Sequence, residues 1–546
     1  MFFASRHPFP SVVLAAALLS PTLGAQSRPD TVEITLLRAV HPWLSDSGRF
    51  ADVQRTVREA RLADTVSSER WIASTGTASA VALSALRHLL DDVESSASER
   101  EDAQRLFDAG TKMTGAPARG LFGVGLDIAL ARHAFVHRQG RVDPSRVHPE
   151  WSLAAEALDF TAMRRTITDG GSVSSAFAAL EPDTRAYQLL VRALAEVRAQ
   201  DADRQTRLPA KPARPVASGA RYADARALAE VLVRLGELPP SFAVNSVQAV
   251  YTRPMSDAVA RWQNRKLKKG KVSGTLTAPV LAALLDEYSR RGARIAMAIE
   301  RWRWLPRRFS DDPLVVNLPE YRLHTYSRFQ GGERDLLSMN VVIGRADSNA
   351  TPVFSANMTQ VVFSPMWHVP KSIMLKEIRP AALADTGYLS KHNYELTSNG
   401  RRVVPMTPAN IARIGTTVMV RQKSGDDNSL GKVKFLLPNP YDIYLHDTPS
   451  RSLFSRNRRD FSHGCVRLGD PMAMARYVLG SQPVWTDSKI TEAMNAGVEQ
   501  YVRVTRPIPV LIVYQTAVAE PDGSLRFYNV VYGHDKALAT ALDKAR

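Results

Sequence analysis

A chain of 546 residues is longer than one hydrophobic core serves, so roughly two to four domains of about 100 to 200 residues are expected. With 45% apolar and 23% charged residues the composition is that of a globular protein rather than a disordered or fibrous one, and a single cysteine excludes an internal disulfide. The net charge of +17 and a pI near 10.0 suit a polyanionic partner: nucleic acid, an acidic membrane surface or an anionic cell-wall polymer.

At the N-terminus Arg6 and His7 precede the apolar run Val12-Val13-Leu14-Ala15-Ala16-Ala17-Leu18-Leu19, followed by Pro21-Thr22-Leu23-Gly24-Ala25. This resembles a signal peptide at 1–25 with cleavage after Ala25, because the run is well short of the ~20 residues a spanning helix needs. An exported, periplasmic mature protein is expected, which argues against nucleic acid as the partner.

Residues 26–207 read as a helical scaffold, with Leu83, Leu86, Leu89 and Leu90, and later Leu189, Leu190, Leu194 and Val197, spaced for helix faces. One helix should end at Gly140, before a turn at Asp143-Pro144. His133 and His137 stand at i and i+4, a metal-ligand spacing, but the zincin Glu and a clear third ligand are missing, so no metal is assigned. Residues 208–220, beginning Leu208-Pro209-Ala210-Lys211-Pro212, read as a semi-rigid linker.

A compact unit at 221–290 follows. Its first helix carries Leu228, Val231, Leu232 and Leu235 and stops at Gly236; a second runs from Met255 to Gln263 and a third from Thr277 to Tyr288, with the basic loop Lys266 to Gly274 between these two. The connecting helix at 291–312 ends in Glu300-Arg301-Trp302-Arg303-Trp304-Leu305-Pro306-Arg307-Arg308, which reads as Arg stems packed on Trp faces at a domain junction.

From 313 to 546 the apolar period becomes two. Strands are expected at Leu314 to Leu318, Tyr321 to Tyr326, Leu337 to Ile343, Gln360 to Phe363, Lys432 to Leu437, Val510 to Val518 and Leu525 to Tyr532, with turns at Gly331-Gly332 and Pro521-Asp522-Gly523. A polar, partly helical insertion at about 375–428 interrupts them and is a candidate lid. The fold class is multidomain α+β: a helical scaffold and a small three-helix module, then a mainly antiparallel β domain with a capping insertion.

In Asp442-Ile443-Tyr444-Leu445-His446, alternation sends Ile443 and Leu445 to one face and Tyr444 and His446 to the other. His446 is thus expected to be an exposed imidazole at a strand end, placed to act as a base. Asp470-Pro471 is a strong helix start, so Cys465 falls in the turn or short strand before it. Gly464 allows close approach of backbone to a bound carbonyl, and successive backbone N–H groups here can form an oxyanion site. A thiol needs a base or a positive neighbour at neutral pH; His446 and His463 are the candidates and Arg467 adds positive field.

Taken together, His446, Asp447 and then Ser462-His463-Gly464-Cys465-Val466-Arg467 resemble the signature of the L,D-transpeptidases. Arg467 replaces the Asn of the shorter members and is like the large periplasmic ones, which also look similar at Asn439 to Pro449 and Arg421-Gln422-Lys423. Val259-Ala260-Arg261-Trp262-Gln263, then Gly274-Thr275-Leu276-Thr277, are similar to the small three-helix peptidoglycan-binding domain. The resemblance implies Cys465 as nucleophile, His446 as general base held by the backbone carbonyl of Asp447, and His463 and Gly464 as oxyanion or orienting residues. Tyr444, Ser462 and Arg467 would bind substrate. It implies ping-pong acyl transfer between peptidoglycan stem peptides, a meso-diaminopimelate tetrapeptide donor releasing D-alanine to give a 3→3 cross-link, with no metal or cofactor. An L,D-carboxypeptidase or wall-attachment transferase using the same site, and a non-catalytic wall-binding protein, stay open as alternatives.

Overall fold

The computed structural model describes residues 68–545 apart from 93, 152, 154–155, 203–206, 267–271, 308, 310–311, 326, 328–336, 386 and 521. The expected signal peptide, the first part of the scaffold, most of the basic loop after Lys266 and the Gly331-Gly332 turn lie outside the described residues.

Six helices build the first region: α1 (Ala80–Asp91), α2 (Ala97–Lys112), α3 (Gly115–Gln139), α4 (Phe160–Thr168), α5 (Val173–Ala178) and α6 (Arg185–Ala202). Their ends follow local chemistry. Ser79 caps α1 through Ala82 N, and Ser96 and Glu99 form a reciprocal capping box on α2, each satisfying a donor the helix end leaves unpaired. Trp71, Leu86, Leu89, Leu126, Leu130 and Phe177 fill the core, whereas Leu83 and Leu90 are only partly covered at its edge.

The next unit holds α7 (Ala225–Arg234), α8 (Arg253–Lys266) and α9 (Ala278–Ser289). Trp262 is buried and donates through Nε1 to Glu287 Oε2 at 2.9 Å, while Gln263 Oε1 accepts from Gly274 N at 3.0 Å. Gly274 has φ +65°, and a Cβ there would stand 2.5 Å from Ser256 O, so the turn requires glycine. The stretch expected to be a linker is docked on this unit: Pro209, Pro212 and Val216 are buried, and Tyr222 donates its hydroxyl to Ala210 O at 2.6 Å.

Helix α10 (Arg291–Arg303) runs through the centre, and ten of its residues are buried. One apolar cluster joins it to α6, to the three-helix unit and to the β domain. Its arginines pack on tyrosine and phenylalanine rings, not on the tryptophans expected from the sequence: Arg291 lies 3.7 Å from the Tyr288 centroid, Arg294 5.0 Å from Phe527 and Arg301 5.3 Å from Tyr514. Each also meets a carboxylate, Arg291 on Asp201 at 2.9 Å, Arg294 on Glu287 at 2.8 Å, Arg301 on Asp535 at 2.6 Å and Arg303 on Glu94 at 2.7 Å. Trp302 and Trp304 are instead core residues.

The last domain contains β1 (Leu314–Asn317), β2 (Arg322–Thr325), β3 (Ser338–Gly344), β4 (Phe354–Phe363), β5 (Trp367–His368), β6 (Tyr394–Ser398), β7 (Arg402–Val404), β8 (Val418–Gln422), β9 (Val433–Leu436), β10 (Leu445–His446), β11 (Asp460–Ser462), β12 (Val466–Leu468), β13 (Gln500–Val513), β14 (Ala517–Ala519) and β15 (Leu525–Phe527). The main sheet has the order β11-β3-β12-β10-β9-β4-β13-β1-β2, and β2 pairs back on β3, so eight strands close on themselves with β11 attached outside the ring. Most pairings are antiparallel; β1–β13, β10–β12 and β11–β3 are parallel. Closure removes exposed edges and encloses a core of Val341, Ile343, Phe363, Phe435, Leu445 and Val466.

The insertion is partly helical, at 371–384, Tyr388–Lys391 and Pro408–Ala412, and strands run between and beside these segments. It carries a second sheet, β5-β8-β6-β7, over its own core of Ile373, Met374, Leu389, Leu396, Ile414 and Val420. That packed unit takes in Trp367 and His368, ahead of residue 375, because β5 pairs with β8. Outside the insertion the domain also carries helices α11 (Pro471–Leu479), α12 (Asp487–Asn495) and α13 (His534–Ala545). Among the described residues, no helix is long and apolar enough to cross a membrane.

Candidate active site

Strand pairing brings the two halves of the motif together. β10 and β12 are parallel neighbours with Leu445 opposite Val466 and His446 opposite Arg467, so Cys465, one step before β12, lies against Tyr444. Two features fix the loop 462–465. Ser462 Oγ donates to Cys465 O at 2.6 Å and accepts from Gly464 N at 3.2 Å, and Gly464 adopts φ +119° with the Ile443 side chain 3.2 Å from where a Cβ would sit. Any L side chain at 464 would be strained.

A support that the sequence did not signal lies behind the loop. Thr351 Oγ1 donates to Gly464 O at 2.7 Å and accepts from Gly344 N at 2.9 Å. The Tyr532 hydroxyl accepts from Thr351 N at 3.1 Å and donates to Gly344 O at 2.7 Å. These residues are dispersed along the chain, and only the fold joins them to the motif.

The thiol of Cys465 is partly buried and donates to Asp442 O at 3.6 Å. Burial pushes its pKa up to about 11, against the opposing pull of Tyr444 and Arg467. Tyr444 packs beside it, with its ring 5.6 Å from that of His446, and burial raises its own pKa further.

His446 departs from the expected exposed imidazole: it is 5% exposed, because Lys434 of β9 and Arg467 of β12 stand opposite it on both neighbouring strands. Alternation named the correct face but not what covers it. Its Nδ1 meets Asp447 O at 2.5 Å, as the resemblance implied, and burial together with the nearby Arg467 lowers its pKa to about 3. The imidazole is therefore neutral at ordinary pH, with Nδ1 as donor to the Asp447 carbonyl. The Asp447 side chain accepts from Lys432 N at 2.9 Å and pairs with Arg451 at 3.3 Å, anchoring that carbonyl.

His463 turns away from the thiol. It is exposed, and its Nε2 meets Glu377 Oε1 of the insertion at 2.7 Å, so it ties the loop to the cap instead of serving as base. Ser462 is 2% exposed and bonded within its own loop, which corrects its expected role as a substrate contact. Arg467 is half-buried, its Nε has no hydrogen-bond partner, and among the described residues no carboxylate pairs with it.

A thiol, a neutral imidazole oriented from behind and a guanidinium with no carboxylate partner among the described residues thus stand together on adjacent strands. Residues 311–489 match the model of the L,D-transpeptidase catalytic domain. The chain carries an L,D-transpeptidase catalytic domain. Residues 69–194 match a scaffold domain. A Haemophilus influenzae protein named "Putative L,D-transpeptidase" is 31% identical over 250 residues, 45% of this chain and 49% of that relative. The chain thus spans about half the length of the curated relative it matches. The match of 311–489 covers every residue of the motif and the whole cap, and it ends before β13 and the segment bearing Tyr532.

Proposed function

We propose that this protein is a periplasmic, cysteine-dependent L,D-transpeptidase that forms 3→3 cross-links between peptidoglycan stems. The observation that carries the reading is the pairing of β10 with β12, which sets Cys465 against Tyr444, two residues before His446, while Asp447 O holds the imidazole with Nδ1 protonated. Nε2 is then the basic nitrogen, and rotation of the thiol away from Asp442 O delivers its proton there.

Cys465 Sγ attacks the carbonyl of the third stem residue, meso-diaminopimelate. The proton passes to His446 and then to the departing amine as the bond to the terminal D-alanine breaks, leaving a thioester. The side-chain amine of a second stem attacks that thioester; a C–N bond forms, the C–S bond breaks, and the proton returns to sulfur through His446. Because Gly464 N is engaged by Ser462 Oγ, the oxyanion donors in this reading are the backbone N–H groups of His463 and Cys465. Arg467, with no acidic partner among the described residues, receives a carboxylate of the donor stem. The three-helix unit at 221–290 holds the chain on the glycan, and the cap limits entry of water to the thioester.

Mixing the mature protein with a disaccharide-tetrapeptide and weighing the products tests this. A cross-linked dimer formed with loss of one D-alanine, absent with Cys465→Ala, is the expected result. Monomeric tripeptide alone would make the protein a carboxypeptidase, and unchanged substrate would return it to a binding role.

A further inference from the structure

The sequence offered His133 and His137 as a pair without a third ligand; the fold supplies more. Asp92, at the C-cap of α1, places Oδ2 3.2 Å from His133 Nε2 and 3.3 Å from His137 Nε2, and the two nitrogens are 3.0 Å apart. His88, one turn before Asp92 on α1, brings its Nε2 to 4.0 Å from the same oxygen, and the ligand atoms of His88, Asp92 and His133 all lie within 4.8 Å of one another.

Protons do not satisfy this triangle. If both imidazoles donate from Nε2 to Asp92, two N–H groups confront each other at 3.0 Å; if one Nε2 is bare, its lone pair faces the carboxylate. A divalent cation in the middle satisfies all three, since two donors each about 2.0 to 2.1 Å from a tetrahedral ion stand roughly 3.3 to 3.4 Å apart.

The surroundings agree. His133 is fully buried, and its Nδ1 and the buried Nε2 of His88 have no hydrogen-bond partner. The other nitrogen of His137 meets Glu181 Oε1 at 2.6 Å, the outward carboxylate contact that metal-bound histidines commonly make. Phe177 stacks on His88 at 4.6 Å and stands 5.1 Å from His133, closing the pocket with an apolar wall. Four carboxylates, of Asp92, Glu94, Glu99 and Glu181, face two guanidiniums, Arg141 on Glu99 and Arg303 on Glu94 and Glu181. A second grouping, Glu94, His137 and Glu181, is already served by Arg303, so the ion belongs at Asp92.

We propose that the scaffold domain binds one zinc-like divalent ion through Asp92, His133 and His137, with His88 as the fourth ligand. An imidazole-rich donor set selects zinc and its neighbours over magnesium or calcium. The ion ties the end of α1 to α3, and through Glu181 to the segment before α6, and it takes no part in acyl transfer.

The test is metal analysis of the full chain after zinc dialysis and gel filtration, with Cys465→Ala as a control against binding at the lone thiol. About one equivalent of zinc in the wild type and in Cys465→Ala, lost in the His133→Gln, His137→Gln double variant and held more weakly in His88→Asn, is expected. Zinc below a tenth of an equivalent in the wild type, or equal zinc in the double variant, would overturn the proposal. Should the double variant not fold, cobalt loading of the wild type decides: visible bands of a tetrahedral Co(II) centre that weaken in His88→Asn support the site, and their absence in the wild type refutes it.

Discussion

Helix α10 and the face around Cys465 both bury arginine, and they do so in opposite ways. On α10 every one of four arginines has a carboxylate within 3 Å and an aromatic ring or backbone carbonyl beside it, so the charges are spent on holding domains together. Around Cys465, Arg467 is half-buried with no carboxylate partner among the described residues, and burial of His446, with the positive charge of Arg467 and Lys434 added, keeps that ring neutral. The difference sets the carboxylate-paired arginines of α10 apart from Arg467.

The largest expected effect breaks the structural side. Arg301→Met leaves Asp535, 8% exposed, with only Thr516 Oγ1 at 2.9 Å, and stability should fall by about 3 to 5 kcal/mol by urea denaturation. Arg467→Gln should do the reverse: an unchanged denaturation midpoint but a loss of about 10- to 150-fold in kcat/KM on tetrapeptide, the worth of one charged hydrogen bond. If both variants lost stability alike, the distinction would fail.

The pH dependence sharpens the same contrast. His446 has a folded-state pKa of about 3, below the ordinary 6.5, so the unfolded chain binds its proton first and stability falls as pH drops from about 6.5 towards 3. Above that window the imidazole is neutral in both states and contributes no slope. His446→Gln should flatten this part of the stability profile. With the thiol at about 11 and the imidazole at about 3, kcat/KM should hold a plateau between about pH 4 and 10. A bell centred near neutrality would instead mean a thiolate–imidazolium pair. The smallest effect is at the cap: Glu377→Gln weakens its tie to His463, and the ratio of hydrolysed tripeptide to dimer should rise a few-fold on product analysis.

These contrasts were unevenly legible in the sequence. The motif residues were visible because they lie close along the chain, and alternation along residues 442–446 identified the face of His446. Its burial was not visible, since Lys434 and Arg467 reach it only through pairing with β9 and β12. Ser462 looked like a substrate contact because a motif records identity and not direction; its hydroxyl turns inward to Cys465 O. The helix of arginines was legible as a junction, but its ring partners come from Tyr288, Phe527 and Tyr514, two of them more than 200 positions away. His133 and His137 are legible in the sequence only as a spacing, because Asp92 and His88 belong to another helix whose docking no period predicts. The partly helical character of the cap is legible in its sequence, but its short strands, each of two to five residues, give too little alternation to register.

The most direct measurement is the intact mass of the full chain, quenched in acid shortly after mixing with disaccharide-tetrapeptide and no acceptor. The account predicts one adduct equal to the donor less D-alanine, located on Cys465, absent in Cys465→Ala and slowed in both His446→Gln and Arg467→Gln. D-alanine released without any such adduct, or an adduct that survives Cys465→Ala, would contradict it.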